Sequence, residues 1–425
     1  MFGAQNAQSL VGLALTLLVC WLLSEGRTRF PWKLAIGAIA VQIGLVVLLF
    51  GVPAAQNMLK GVNGAVEGLG LSTQAGTQFV FGFLAGGAQP YPLTQSGALF
   101  IFAFRVLPVI LVVCALSALL WHWRVLKWAT KAFGFVFQKT LGLRGPPALA
   151  TAATIFMGQV EGPIFIRAYL DKLTRSELFM LVSVGMACVS GSTMVAYATI
   201  LKDVLPNAAA HVLTASIISA PAGVLLARVI VPPDAAETGG DLDLGAEKSY
   251  DSSVDAVIKG TSDGLTIALN VGAALIVFVA LAAMADLILK MLPAVGGQPL
   301  SIERGLGLLF SPLAWAIGVP WAEARTAGSL LGIKLVLTEF SAFIDLSKLP
   351  AGELSERSRM LMTYALCGFA NVASVGMNVA GYSVLVPQRR TEVLGLVWKA
   401  MIAGFLATCM TASLVGAMPA ALFAK

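Results

Sequence analysis

Eight runs of about twenty apolar residues, near 8–24, 33–52, 97–121, 177–202, 207–231, 263–291, 359–384 and 393–418, leave this chain little choice of solvent. About 20 apolar residues in a helix cross the hydrocarbon core of a bilayer, and a helix keeps its backbone hydrogen bonds satisfied there. Only 12% of the 425 residues are charged and 58% are hydrophobic; a soluble domain carries about 25% charged residues. The mean hydropathy is +0.85. Soluble enzymes, disordered chains, collagens and nucleic-acid binders are excluded on that balance. The net charge of +6 reads as basic cytoplasmic loops, not as a surface for nucleic acid. Cys20, Cys114, Cys188, Cys367 and Cys409 all lie in apolar stretches without a CxxC, and His122 and His211 are far apart. Neither a disulfide framework nor a zinc or His-based metal centre is expected, and no organic cofactor is implied.

Orientation follows from the basic residues. Arg27, Arg29 and Lys33 separate the first two runs, which puts that loop in the cytoplasm and the N-terminus outside. Counting onward, Arg124, Lys127, Lys131, Lys139 and Arg144 are cytoplasmic, as are Arg389 and Arg390. The first run has no basic residue before it and no small-residue cleavage site after it, unlike a signal peptide. The stretch 53–85 is too polar to span and predicts an amphipathic helix lying along the membrane. The acidic, Gly- and Ser-containing stretch 232–262 predicts a flexible cytoplasmic linker.

Two further segments, 146–170 and 311–345, are apolar but interrupted midway by Gly, Pro and a carboxylate. Each half is too short to cross, so each segment predicts a hairpin that enters and leaves on one side. Such backbone survives at membrane depth only when buried in protein or lining a cavity. After the first comes Gly185-Met-Ala-Cys-Val-Ser-Gly191; after the second, Gly368-Phe-Ala-Asn-Val-Ala-Ser374. With the hairpins before them, these read as an internal repeat. Three spans separate the hairpins, an odd number, so the repeat is inverted. Inverted repeats with broken helices build many secondary transporters, with the substrate site where the breaks meet. The expected fold is an all-α membrane protein with eight transmembrane helices and two re-entrant hairpins. Its expected parts are scaffold helices over 1–121, a first half over 146–231, a second half over 263–384 and a last helix over 393–418.

An ionisable residue in lipid costs about 2.5–3.5 kcal/mol on insertion scales and marks function by default. Glu161, in Gly158–Pro163, and Glu339, in Leu337–Phe340, are such residues. Each can accept substrate hydroxyl or N–H bonds, bind a cation or carry a proton; each can also be paired structurally, with Lys334 or Arg325 as partners. Gln159, Asn371 and Ser374 lie at the same breaks, Asn371 and Ser374 on one helix face. Polar residues often join helices in bundles, but with two carboxylates this set suits a polar pocket for a hydroxylated neutral solute. Phe369 is read as core. An intramembrane enzyme is the remaining alternative, and the chain has neither H-E-x-x-H nor G-x-S-x-G.

Jointly, these residues resemble a known family. G-Q-V-E-G-P at Gly158–Pro163, Ser190–Thr193 with Ala196 and Tyr197, Gly318–Pro320 with Glu323, Lys334–Phe340, and Gly368–Asn371 with Ser374 and Gly376 are similar to the concentrative nucleoside transporters over nearly the whole chain. The resemblance implies a homotrimer in the bacterial inner membrane, with a mobile hairpin domain moving elevator-like past a fixed scaffold, and cation-driven nucleoside symport. It implies that Gln159 and Glu161 contact the base, that Glu339, Asn371 and Ser374 hold the ribose, that Phe369 packs near the base, and that Thr193 belongs to the site. The chain departs from the family at Val160, where a polar residue is frequent, and at Thr338, where the family has Asn. Thr154 and Cys188 stand where sodium-coupled members use Asn and Ser. A thiol is a poor ligand for a hard cation, so proton coupling through Glu339 or Glu161 is expected. A sodium site near Thr154, Met157, Cys188 and Val189, using backbone carbonyls at Met157 and Val189, is the alternative, as is another ribosylated solute.

Overall fold

The computed structural model describes residues 3–28, 30–88, 90, 101–143, 145–159, 161–164, 166–233, 250–294, 299–350 and 352–423, with the backbone alone at residues 161, 167, 168, 278 and 421. Every regular element among them is helical. Helices α1 (Ala4–Leu22) and α2 (Trp32–Gly51) are long and apolar enough to cross a membrane, and α3 (Pro53–Phe81) follows with Pro53 at its first position, where a fixed φ and a missing N–H cost nothing. The short α4 (Phe102–Arg105) and α5 (Leu107–His122) form the third span; residues 97–100 of the expected run lie outside the described residues. Then come α6 (Val125–Leu141), the first hairpin α7 (Gly145–Met157) and α8 (Glu161–Ile164), and the broken span α9 (Arg175–Ala187) and α10 (Gly191–Leu201). Helix α11 (Ala208–Ile230) completes this half.

The second half repeats the order. Helix α12 (Ser253–Leu289) is its first span and α13 (Ile302–Ile317) its connecting helix; α14 (Trp321–Val336) and α15 (Glu339–Lys348) are its hairpin. The pair α16 (Glu356–Leu366) and α17 (Val372–Leu385) is its broken helix, and α18 (Arg390–Ala417) its whole one. Each half thus runs span, connecting helix, hairpin, broken helix, whole helix.

Three sequence expectations are corrected. The run 359–384 is not one continuous helix: α16 and α17 have 11 and 14 residues and are parted by extended backbone ending at Asn371, as α9 and α10 are parted in the run 177–202. Gly318–Pro320 lies before the second hairpin rather than within it, so the segment read as 311–345 begins too early. It is a corner, where α13 and α14 bend by 115°, and Gly318 permits it at φ +120. The tip is Leu337–Thr338. Helix α12 begins ten residues earlier than the run at 263, because Ser252 accepts a hydrogen bond from Asp255 N at 3.1 Å and caps it. The linker is therefore shorter than 232–262, and residues 234–249 lie outside the described residues.

The hairpins enter from opposite ends of the bundle. At one end, Arg389 donates to the carbonyls of Leu170 and Leu173 at 3.0 and 2.6 Å. There too Glu25 binds Arg175 and Lys399, and its N–H meets Ile230 O at 2.9 Å. The Arg175 hydrogen bond, with Lys399 beside it, lowers the Glu25 carboxyl to about 2. At the other end, Arg357 donates to Gly318 O and Gly416 O, both at 2.7 Å, and Asn6 donates to Gly416 O and Met418 O. The base of the first hairpin thus shares an end with the α1–α2 loop, and that of the second shares one with the start of α1.

Candidate functional site

The site is built where helices stop. Ser190, Thr338 and Asn371 each leave the chain extended and cap the helix that follows. Their side chains accept from Thr193 N at 3.4 Å, Ser341 N at 3.2 Å and Ser374 N at 2.8 Å. Three helix N-termini, each a partial positive charge, are thereby placed at the breaks. The two broken helices touch at their breaks: Phe369 N donates to Cys188 O at 3.3 Å. Glycine permits this approach. A Cβ at Gly368 would lie 2.8 Å from Ala187 O and 2.6 Å from Thr408 Cγ2.

A hydrogen-bonded chain then links the two hairpins. Glu339 is 4% exposed. Its Oε1 accepts from the Tyr197 hydroxyl at 2.8 Å and its Oε2 from Asn371 Nδ2. Asn371 leads through its cap to Ser374. Gln159 Nε2 donates to Ser374 Oγ at 3.3 Å, and Gln159 Oε1 accepts from Asn378 Nδ2 at 2.8 Å. Asn378 Nδ2 also donates to Ser374 O at 2.9 Å. The chain offers a carboxylate at one pole and an amide at the other, along the first two turns of α17.

Of the residues singled out from sequence, Gln159, Glu339, Asn371 and Ser374 are joined directly. Phe369 sits at the crossing of the breaks, and Thr193 lies in the first turn of α10, its hydroxyl donating to Ser190 O at 3.0 Å. Glu161 opens α8, but its side chain lies outside the described residues. Lys334 does not pair with Glu339 as the sequence allowed. Its fully buried ammonium donates to Ala365 O and Thr408 Oγ1, both at 2.7 Å, 5.4 Å from the Phe405 ring centroid. It satisfies a carbonyl in the last turn of α16, next to the break.

Sequence reasoning missed two residues that hold this cluster together. Tyr197 entered only as part of a motif, and Asn378 not at all. The available signal was spacing: Asn371, Ser374 and Asn378 lie three and four apart, one polar stripe on α17.

The residues of the alternative sodium site behave differently. Thr154 Oγ1 donates to its own helix at Ala150 O, 2.8 Å away. Cys188 Sγ lies 3.5 Å from Ser216 O. The Ser216 hydroxyl reaches Val189 O at 3.3 Å and Ile155 O at 3.5 Å, and accepts from Val189 N at 3.3 Å. The one Ser216 hydroxyl hydrogen is shared between these two carbonyls, and Met157 ends α7 three residues beyond Thr154.

Two inverted halves, two hairpins and two crossing broken helices around a buried polar cluster define a membrane transporter of the secondary type. The chain belongs to the Na+ dependent nucleoside transporter family. The models of that family's N-terminus and C-terminus match residues 11–84 and 211–416, and a nucleoside-recognition model matches 103–204. The nucleoside permease NupC of Helicobacter pylori is 34% identical over 96% of both chains. The putative nucleoside permease NupX of Escherichia coli is 33% identical over 96% of this chain and 98% of its own. Among solved structures, CNTnw in an inward-facing substrate-bound state is 34% identical, covers 97% of each chain and superposes with a TM-score of 0.87; an outward-facing state gives 0.86. These relatives are transporters, and this chain is one rather than an enzyme.

Proposed function

We propose that the protein is a proton-driven nucleoside symporter of the bacterial inner membrane. The observation that carries the reading is Glu339, a buried carboxylate whose partners Tyr197 and Asn371 are both neutral. Tyr197 can donate to a carboxylate and equally accept from a carboxylic acid, so the site accommodates both protonation states. Glu339, Asn371 and Ser374 hold the ribose, Gln159 and Glu161 meet the base, and Phe369 and Thr193 complete the pocket. The thiol at Cys188 supports a proton over sodium, although the family is named for sodium.

The solved relatives were captured facing inward, outward and in intermediates, which supports alternating access here. We read the motion as elevator-like: α5 and α12 form the fixed part, and the hairpin bundle moves. The most apolar stretch of α12 is only 6% buried within one chain, as suits a helix facing lipid and two further protomers of a homotrimer. The N-terminus faces outward on this reading.

The test is uptake of radiolabelled uridine and adenosine into proteoliposomes. An inward proton gradient should drive accumulation, and sodium at constant pH and membrane potential should change it little. Glu339→Gln should nearly abolish uptake, because an amide carries no proton and is a weaker acceptor. Uptake that requires sodium and ignores the proton gradient would overturn proton coupling and point to the backbone carbonyls at Met157 and Val189.

A further inference from the structure

We propose that Asn378 sets which end of the Gln159 amide faces the bound solute, and so makes a hydrogen-bond acceptor on the base a condition of recognition. The inference rests on the nucleoside reading above and adds to it a residue and a selectivity rule.

A side-chain amide has one end that donates and one that accepts, and its orientation must follow from its partners. Here the partners end in backbone, whose polarity is fixed. Ser374 O can only accept, so the Asn378 atom 2.9 Å from it is the nitrogen. That nitrogen carries two hydrogens, and the second goes to Gln159 at 2.8 Å. The Gln159 atom facing it is therefore the oxygen. The Gln159 nitrogen is turned the other way, toward Ser374 Oγ at 3.3 Å. The same residue fixes the second amide. Ser374 N–H can only donate, so Asn371 turns its oxygen inward at 2.8 Å and its nitrogen to Glu339. One backbone unit in the first turn of α17 thus sets the polarity of both poles.

Direction along α17 decides what the solute meets. Glu339 is bound at Asn371, the start of the helix. The Gln159 nitrogen points to Ser374, the nearer position, and its oxygen to Asn378, one turn farther away. A solute whose hydroxyls are held by Glu339 therefore encounters the nitrogen end. One amide hydrogen goes to Ser374, and the other is left for the base. A ring nitrogen with a lone pair or a base carbonyl satisfies it; an N–H or C–H at that place leaves it unpaired. Asn378 is fully buried and Gln159 is 5% exposed, so water does not replace a missing acceptor cheaply. Asn378 is a positioning residue: it acts through Gln159.

The test compares nucleosides that differ by one acceptor, in equilibrium binding to the purified full-length protein. The series are adenosine with its 1-, 3- and 7-deaza analogues, and uridine with 2-thiouridine and 4-thiouridine, sulfur being the weaker acceptor. In the natural protein one deletion within a series should weaken binding about tenfold, the scale of one buried hydrogen bond. In Asn378→Leu, where Gln159 is free to turn over, that penalty should fall below about threefold while the parent nucleoside still binds. Asn378→Asp accepts but does not donate, so it should recruit the Gln159 nitrogen and remove the penalty too; it also serves if the leucine variant does not fold. A general loss of structure would weaken parent and analogue alike and leave their ratio unchanged. Equal penalties in the natural protein and a folded variant would overturn the inference, as would the absence of any penalty in the natural protein. If no nucleoside binds the folded natural protein, the nucleoside reading itself fails and takes this inference with it.

Discussion

Tyr197 and Asn378 occupy equivalent places in the two halves. Each lies seven residues after the cap of the second part of a broken helix, Ser190 in one and Asn371 in the other. Each reaches across to the hairpin of the opposite half: Tyr197 to Glu339 and Asn378 to Gln159, both at 2.8 Å. The hydrogen bond between the breaks obeys the same relation, since Phe369 and Cys188 each stand two residues before those caps. The halves are cross-linked by side chains at their shared axis, where a substrate can touch both.

Tyr197→Phe removes one oxygen and keeps the ring between Phe340 and Phe343, whose centroids lie 4.7 and 4.5 Å away. Glu339 Oε1 loses its donor, at a cost of about 1–3 kcal/mol for an unsatisfied buried group. The KM for nucleoside uptake should rise about tenfold, with little change in the melting temperature of the detergent-purified protein. An unchanged KM would remove Tyr197 from the site.

Gly368→Ala and Gly376→Ala form a matched pair. The first puts a methyl 2.6 Å from Thr408 Cγ2 and 2.8 Å from a backbone carbonyl, whereas nothing lies within 4 Å of a Cβ at Gly376. Overpacking costs about 1–3 kcal/mol, so Gly368→Ala should lower the melting temperature and impair uptake. Gly376→Ala, within helix α17, should be neutral or mildly stabilising.

Glu25 predicts a pH dependence of stability. Its carboxyl is lowered from an ordinary value of 4.5 to about 2 by Arg175 first and Lys399 second. A depressed carboxyl stabilises the folded state fully above the unfolded value, and the contribution disappears as pH falls through the folded one. Melting temperature should therefore begin to drop below about pH 4.5. Glu25→Gln should lower it at neutral pH and flatten the acid limb. The site is partly open to solvent, so salt should weaken the effect.

Single cysteines at Asp171 and Glu353, both exposed, test the inverted halves. The native cysteines are buried or half-buried, so an impermeant thiol reagent should report the new ones. Asp171→Cys should label from the cytoplasmic side and Glu353→Cys from the outside. Labelling from one side would break the inverted arrangement.

Local chemistry explains which features were legible. The first hairpin carries its glycines and proline around its own tip, at Gly158–Pro163, and the sequence located it. The second carries Gly318 and Pro320 at the corner before the hairpin, while its tip, Leu337–Thr338, has neither. The glycine and proline widened the segment read as the hairpin to 311–345, while Glu339 marked the break itself. The repeat was visible but out of register: matching Gly185 to Gly368 misses by two the equivalence of Ser190 and Asn371, because the glycines answer to packing and the caps to helix starts. The run 359–384 read as one span because Cys367–Asn371 is apolar enough to continue a helix. Its backbone leaves the helix where Cys188, far away in sequence, supplies a partner.

The sequence by itself determined the solvent, the helical class, the presence of paired interruptions and the two carboxylates set at them. Those follow from length, polarity and residues whose cost in lipid is large wherever the chain goes. Only the tertiary structure decided which polar groups meet. Glu339 takes Tyr197 and Asn371 rather than Lys334, and Gln159 takes Ser374 and Asn378. The choice among donors within a buried cluster is set by distances of a fraction of an ångström between helices, and by the fixed polarity of the Ser374 backbone, and neither is written in composition or period.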